Sequence, residues 1–192
     1  MQKLKKTKGK TLCLSGLPHN KIALAGQDTN IYIWDTLTSK WTRTLKMHTD
    51  WVTSLERLPS ERLASGSRNG VIYIWHTPTG KCIRQMNPTK KSVTALAALP
   101  DNLLAAQSNG SVYVLNTETK ECLQKLCLPK TNSFHLSALP NNKLAWGSIS
   151  DTEIAIQILG YAKKQKLEKE IVALQAPPQD DAQQKGWHCA VS

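Results

Sequence analysis

The feature that most constrains the fold of this chain is a Leu-Pro pair that recurs at a near-constant interval. Four of the five Leu-Pro pairs in the chain begin at Leu17, Leu58, Leu99 and Leu139, so the intervals between them are 41, 41 and 40 residues. Another Leu lies three residues before each of these four pairs, and an apolar residue lies five residues after the Leu of each. A regular period of about forty residues is typical of repeat architectures in which each repeat is one supersecondary unit.

The second repeat predicts four short antiparallel strands. We expect these strands at Trp51–Glu56, Arg62–Ser67, Val71–Trp75 and Lys81–Met86. Asn69-Gly70 between the second and third runs is a strong hairpin signal, because both central residues of a type I′ turn take positive φ. Four-stranded antiparallel units repeated around an axis are the blades of a β-propeller. The predicted fold class is therefore all-β, a small or partial propeller of about four blades.

The repeats resemble those of the WD40 family. The segments that carry the resemblance are LASGSRNGVIYIWHTPTGKC, MHTDWV and IYIWDTLTSK, and the last retains the Trp34-Asp35 dipeptide that names the family. The third repeat has Leu115-Asn116 at the dipeptide, and the fourth, KLAWGSISDTEIAIQIL, is the most divergent. The resemblance covers about residues 10–160. It implies a non-enzymatic platform for protein or peptide partners that needs no cofactor.

The resemblance also implies a hydrogen-bonded structural tetrad of His, Ser, an acidic residue and Trp inside a blade. Only the second repeat has matching residues, which are His48, Ser65, Asn69 and Trp75. Asn69 replaces the usual Asp, and we expect a weaker network, because charge-assisted hydrogen bonds are roughly twice as strong as neutral ones. We interpret the group as structural rather than catalytic, since the indole N–H and the turn account for its members.

The chain divides into a basic segment at 1–9, a repeat domain at 10–175 and a tail at 176–192 that we expect to be disordered. The expected blades are at about 10–50, 51–91, 92–132 and 133–175. Most WD40 propellers close with about seven blades. Four repeats leave open a truncated or decayed gene product, cryptic extra strands, or closure with another chain. We expect self-association, because an open propeller exposes apolar blade faces and strand edges.

The resemblance places partner-binding positions in the loop that leads into each blade and in the turn between its second and third strands. The positions mapped in this way are Asp50, Trp51, Arg68, Lys91 and Gln107. Trp51 is the strongest candidate, because Trp and Arg are enriched in binding hot spots. The alternative for Trp51 is packing between adjacent blades.

No catalytic, metal or cofactor site is predicted. The five cysteines include no Cys-x-x-Cys pair, and we expect reduced thiols. Cys82 and Cys122 occupy equivalent repeat positions, so an apolar packing role explains them. His19, His76 and His135 fit no ligand spacing. We also expect neither a signal peptide nor a membrane-spanning helix.

Charge and the C-terminal residues suggest a membrane contact. The net charge is +11, and lysines cluster at 3–10 and 163–169. A solvated surface with a frayed N-terminus explains these lysines, and the alternative is attraction to an anionic partner. Nucleic acid is disfavoured, because no aromatic residues interleave with these lysines. Cys189 begins the final CAVS, which resembles a CaaX box for farnesylation. This resemblance implies lipidation of Cys189 and a place on the cytoplasmic face of a membrane in a eukaryotic cytosol, native or host.

Three functional hypotheses follow. The favoured one is a WD40-type protein-interaction platform, tethered to a membrane by prenylation. The first alternative is a degenerate WD40 fragment without a binding role of its own. The second alternative is a basic propeller that binds phospholipid or nucleic acid, for which steep salt dependence of binding is the expected sign. The sequence leaves the identity of the partner open.

Overall fold

The computed structural model describes residues 9–127, 134–140, 143–148 and 154–158. The chain divides into two compact units, Met1–Leu159 and Gly160–Ser192, and every described residue lies in the first. All regular elements within this described part are β-strands, as the repeats predict. It contains no helix that is long and apolar enough to cross a membrane.

The described strands form four antiparallel sheets, each with its strands in chain order. The first blade contains β1 (Thr11–Leu17), β2 (Lys21–Gly26), β3 (Ile31–Asp35) and β4 (Lys40–Leu45). The second blade contains β5 (Val52–Leu58), β6 (Arg62–Ser67), β7 (Ile72–His76) and β8 (Lys81–Met86). The third blade contains β9 (Val93–Leu99), β10 (Leu103–Ser108), β11 (Ser111–Asn116) and β12 (Cys122–Cys127). The fourth blade contains β13 (Phe134–Leu139), β14 (Lys143–Ser148) and β15 (Ile154–Ile158).

The four strands predicted for the second repeat are confirmed to within two residues. Each of these four Leu-Pro pairs stands where the first strand of a blade ends, and the second strand begins four residues after its Leu. The first three of these turns place both central residues at positive φ, for example Asp101 at 57° and Asn102 at 59°. The Leu-Pro period therefore records the position of one tight turn in each blade.

The turn expected at Asn69-Gly70 joins a hairpin, but its type differs from the prediction. Gly70 has a φ of +89°, whereas Asn69 does not take positive φ. The third repeat is one residue shorter at this place, and there Asn109 and Gly110 have φ values of 46° and 70°. The extra residue, Arg68, makes the turn of the second blade longer than the two-residue type I′ turn of the third.

Apolar side chains pack between adjacent blades. The cluster between the first and second blades contains Leu17, Ala23, Ala25, Ile31, Ile33, Leu45, Val52, Leu55, Leu63, Tyr73 and Trp75. The cluster between the second and third blades contains Leu58, Ala64, Ile72, Ile74, Met86, Val93, Leu96, Leu104, Ala106 and Leu115. Burying one large aliphatic side chain contributes about 1.5–3 kcal/mol, so these interfaces are the main source of stability.

The blades follow one another as an open arc. Their inner strands contact each other in chain order, β1 with β5, β5 with β9, and β9 with β13. Among the described strands, no comparable contact joins the first blade to the fourth. The described residues therefore form a partial propeller, and each end of the arc presents a blade that has a neighbour on only one side.

Candidate protein-interaction site

The interior of the second blade contains a hydrogen-bonded group of three side chains. His48 Nε2 lies 2.7 Å from Ser65 Oγ, and Trp75 Nε1 donates to the same oxygen over 2.8 Å. All three are buried, with Trp75 only 1% exposed. The ring of Tyr73 packs edge-on against His48, with 4.7 Å between the ring centroids. Ser65 thus supplies the partner that a buried indole N–H requires.

Asn69 does not join this group. Its Nδ2 donates to Thr49 Oγ1 over 3.1 Å, and its Oδ1 accepts from the backbone N of Val71 over 3.2 Å. Nδ1 of His48 is buried and has no hydrogen-bond partner in the described part of the chain. The structure therefore brings together three of the four tetrad residues. Asn69 stays apart because its amide bonds to Thr49, in the connection from β4 to β5, and to the backbone of its own turn.

Burial decides the charge state of the histidine in this group. His48 is 7% exposed, and burial lowers its pKa from 6.5 to about 4. A buried charge is costly unless an opposite charge compensates it, and Asn69 cannot supply one. The imidazole is therefore neutral at pH 7, and it supports the blade as a neutral packing and hydrogen-bonding group.

Trp51 and Arg68 form an exposed pair at the end of the same blade. Trp51 immediately precedes β5 and is 37% exposed. Arg68 follows β6, and its guanidinium carbon lies 4.9 Å from the centroid of the Trp51 ring. The backbone N of Arg68 donates to the carbonyl of Trp51 over 2.9 Å, and Asp50 Oδ1 accepts from the backbone N of Trp51 over 2.7 Å. The first of these bonds holds the backbones of Trp51 and Arg68 together.

The connection from β8 to β9 covers the turn that carries Arg68. A Cβ atom on Gly70 would lie 2.2 Å from the carbonyl oxygen of Thr89 and 2.9 Å from that of Lys91. Only glycine fits at position 70, because the β8–β9 connection lies against it and because its φ is positive. Ser108 Oγ fixes this connection by donating to the Lys91 carbonyl over 3.1 Å. The exposed side chain of Lys91 therefore extends from a backbone that lies against this turn.

Gln107 lies inside the third blade and not on this surface. It is 3% exposed, and every residue of β10 is buried. Its Oε1 has no hydrogen-bond partner among the described residues. The mapping placed Gln107 beside the turn between β10 and β11. The strand is enclosed because neighbouring blades pack against the third blade, with β6 contacting β9 and β13 contacting both β9 and β10.

The charge of Arg68 has no counter-ion in the described residues. The ion pairs found there join His19 to Glu61, and Arg62 and Arg84 to Glu118. The guanidinium lies over the Trp51 ring, and its N–H donors form no ion pair among the described residues. A planar fork of donors matches a carboxylate, which accepts two parallel hydrogen bonds. We call Asp50, Trp51, Arg68 and Lys91 the Trp51 surface.

The remaining candidates give no reactive centre. No group of three or more His, Cys, Asp or Glu residues in the described ranges could hold a metal ion. Burial raises the pKa of the Cys13 thiol to about 12 and also raises the pKa of Cys82, so both remain protonated at neutral pH. Cys189 lies outside the described residues, and its lipidation stays a prediction.

A buried arginine at the opposite end of the second blade was not anticipated. Arg62 donates to the carbonyl of Pro59 over 3.0 Å, to Glu118 over 2.7 Å and to the Asn102 side chain over 2.7 Å. These bonds join the second and third blades. The sequence signal is a basic residue where a strand begins after a Leu-Pro turn. The first, third and fourth repeats have Lys21, Leu103 and Lys143 at that place, so the signal is weak.

Comparison with known proteins supports this reading of the fold. The WD40 family model (WD domain, G-beta repeat) matches residues 39–76, which span β4 to β7. The search of curated proteins finds no match.

Solved structures are similar over most of the chain. The RRP9 WD40 repeats align with a TM-score of 0.74 at 20% identity, covering 82% of this chain and 51% of that one. The WD40 β-propeller domain of Doa1 aligns at 0.71 and 22% identity, covering 80% and 52%. The computationally designed Ika4 protein aligns at 0.70 and 21% identity, covering 82% and 96%. This chain thus spans about half the length of the two WD40 chains. It carries a WD40 repeat at residues 39–76, and its described blades have the fold of a WD40 β-propeller.

Proposed function

We propose that this chain is a non-enzymatic protein-interaction module that binds a peptide segment of its partner on the Trp51 surface. The WD40 family implies a protein-interaction role, and the exposed Trp51–Arg68 stack carries the proposal for this site. Trp and Arg are the residue types that most often dominate the binding energy of interfaces. Their backbones are already tied together, so binding orders few additional groups.

The partner segment is expected to present a carboxylate. Arg68 offers planar donors without an ion pair in the described part of the chain, and the exposed Lys91 belongs to a backbone segment that lies against the same turn. The carboxylate of Asp50 accepts from the backbone N of Trp51 and forms no ion pair with Arg68 among the described residues. A net charge of +11 attracts acidic partners over longer distances.

Selection from a phage-displayed library of random peptides tests this proposal. We expect the wild-type protein to enrich peptides that contain Asp or Glu. Trp51→Ala should weaken the binding of an enriched peptide by at least about tenfold, because hot-spot truncations typically cost more than about 1.4 kcal/mol. Titration calorimetry with the synthetic peptide measures the change.

Leu37→Ala is the matched control. Leu37 is 75% exposed and lies between β3 and β4, at the opposite end of the strands from Trp51. This variant should bind the peptide as the wild type does. If no peptide is enriched, or if enriched peptides bind Trp51→Ala unchanged, the Trp51 surface is not the binding site.

The membrane tether is a separate prediction that rests on Cys189 and the lysines at 3–10 and 163–169. One farnesyl chain gives marginal attachment, and the lysines would supply the second signal. Mass spectrometry of the C-terminal peptide, after expression in a eukaryotic cell, tests it. A farnesylated Cys189 that has lost the last three residues supports the tether and a cytoplasmic, membrane-peripheral location. An unmodified CAVS end contradicts it.

A further inference from the structure

The first blade exposes a face that the second and third blades bury. Leu14, Leu55 and Leu96 occupy the same place in the inner strands, opposite residues 24, 65 and 106 of the second strands. Leu55 is 8% exposed and Leu96 is 7% exposed, because each packs in the cluster shared with the preceding blade. Leu14 is 68% exposed. We call the side of a blade that carries this leucine its front face.

The fourth blade is less buried than the other blades on the opposite side. We call that side the rear face. Ala23, Ala64 and Ala105 pair in register with residues 33, 74 and 114 of the third strands, and all three alanines are fully buried. Ala145 pairs with residue 156 in the same way but is only half-buried. In the first two blades, the buried alanine lies in the cluster formed with the next blade.

Front and rear faces pack against each other inside the arc, because each interface between adjacent blades joins the rear face of one blade to the front face of the next. The cluster between the first and second blades joins the rear-face residues Ala23 and Ile33 to Leu55. The cluster between the second and third blades joins Ala64 and Ile74 to Leu96. The arc thus ends in the front face of the first blade and the rear face of the fourth blade. Among the described strands, no substantial contact joins these two faces.

We propose that two copies of this chain assemble head to tail, with the rear face of each fourth blade covering the front face of the other copy's first blade. Four blades from each copy give a closed ring of eight, the upper end of the usual range for propellers. The inference does not depend on peptide binding at the Trp51 surface.

Light scattering after size-exclusion chromatography of the full chain tests the proposal. The wild type should have twice the chain mass of 21.3 kDa. Leu14→Glu should reduce the mass to one chain, because it places a charge in the covered face. Leu37→Glu is the control, since Leu37 is a more exposed leucine outside the front face. It should leave the mass at two chains.

A mixing experiment identifies the opposing face. Ala145→Glu should also give single chains. A head-to-tail interface predicts that a mixture of Leu14→Glu and Ala145→Glu proteins regains a two-chain species, because the unaltered rear face of one meets the unaltered front face of the other. This rescue also shows that both variants are folded.

Five results would overturn the proposal. A wild type with the mass of one chain at all concentrations means that the front face is closed within the chain. A Leu14→Glu protein that keeps two chains means that association uses another surface. An Ala145→Glu protein that keeps two chains, or a mixture that shows no rescue, means that the front face does not meet a rear face. A mass that grows beyond two chains with concentration means that the assembly does not close.

Discussion

Two tryptophans of the second blade lie in contrasting environments. Trp75 is 1% exposed, and its indole N–H donates to Ser65, which also contacts a neutral His48. Trp51 is 37% exposed and lies against the guanidinium of Arg68. The interior indole has its polar atom satisfied by a residue of the same blade. The exposed indole presents an apolar surface that no other part of the described chain covers fully.

The difference shows that, within one blade, interior residues can determine stability while exposed residues determine binding. In the interior, loss of a side chain leaves a cavity or an unpaired polar group, both of which destabilise the fold. At the exposed end, loss of a side chain removes contact area that water already reaches. The same residue type should therefore give opposite results in measurements of unfolding and of binding.

The largest effect is expected from Trp75→Ala. Removing a fully buried indole should lower the free energy of unfolding by about 3–5 kcal/mol. Urea denaturation followed by circular dichroism measures the change. A loss below about 1 kcal/mol would mean that Trp75 does not support the core between the first two blades.

Ser65→Ala should have the next largest effect. It leaves the indole N–H of Trp75 and one nitrogen of His48 buried without a partner, which should cost about 1–3 kcal/mol. The third blade has Ala106 and Leu115 at the places of Ser65 and Trp75. Ser65→Ala should therefore cost less in a Trp75→Leu background than in the wild type, and a double-mutant cycle measures the coupling. Equal costs in both backgrounds would contradict the hydrogen-bonded role.

The neutral His48 predicts a pH dependence of stability. Its folded pKa of about 4 lies below the unfolded value of 6.5, so the unfolded chain binds the proton more readily between these values. The free energy of unfolding should fall as the pH drops from 6.5 towards 4, by about 1–3 kcal/mol from this residue alone. Denaturation of wild type and His48→Gln at pH 7 and pH 4.5 isolates the contribution of His48. The carboxyl groups titrate in both proteins, so the difference between the two losses of unfolding free energy belongs to the histidine. Equal losses would mean that His48 is not buried.

Arg68→Lys should have the smallest effect on stability. The change keeps the charge but removes the planar group that stacks on Trp51, and an exposed cation–π contact contributes about 0.5–1 kcal/mol. The free energy of unfolding should therefore change by less than about 1 kcal/mol. Affinity for a selected acidic peptide should fall several-fold, because a lysine cannot form the paired hydrogen bonds of a guanidinium. An unchanged affinity would mean that Arg68 contributes only its charge to binding and forms no paired hydrogen bonds with the peptide.

The strand pattern of the blades could be predicted because turn residues recur at fixed places in the repeat. The Leu-Pro pairs and the Asn-Gly dipeptides mark chain reversals that depend on local backbone conformation. The same local reasoning failed at Asn69, because a single extra residue changes the turn and redirects its amide. It also misplaced Gln107, since the burial of β10 depends on packing by the adjacent blades rather than on the residue itself.

The repeat count predicts exposed apolar faces at the ends of an open arc, but the burial of a particular residue there does not follow from its repeat position. Leu14 and Leu55 have equivalent sequence positions, yet one is exposed and the other is buried. The difference comes from the presence or absence of a preceding blade, which no residue of the repeat encodes. The same holds for Ala145, whose counterparts in the other blades are fully buried.

The most direct test is to measure peptide affinity and unfolding free energy together on Trp51→Ala. We predict that affinity for a selected acidic peptide falls by at least about tenfold, while the free energy of unfolding changes by less than about 1 kcal/mol. A loss of stability comparable to that of Trp75→Ala, with unchanged peptide affinity, would contradict the assignment of Trp51 to recognition.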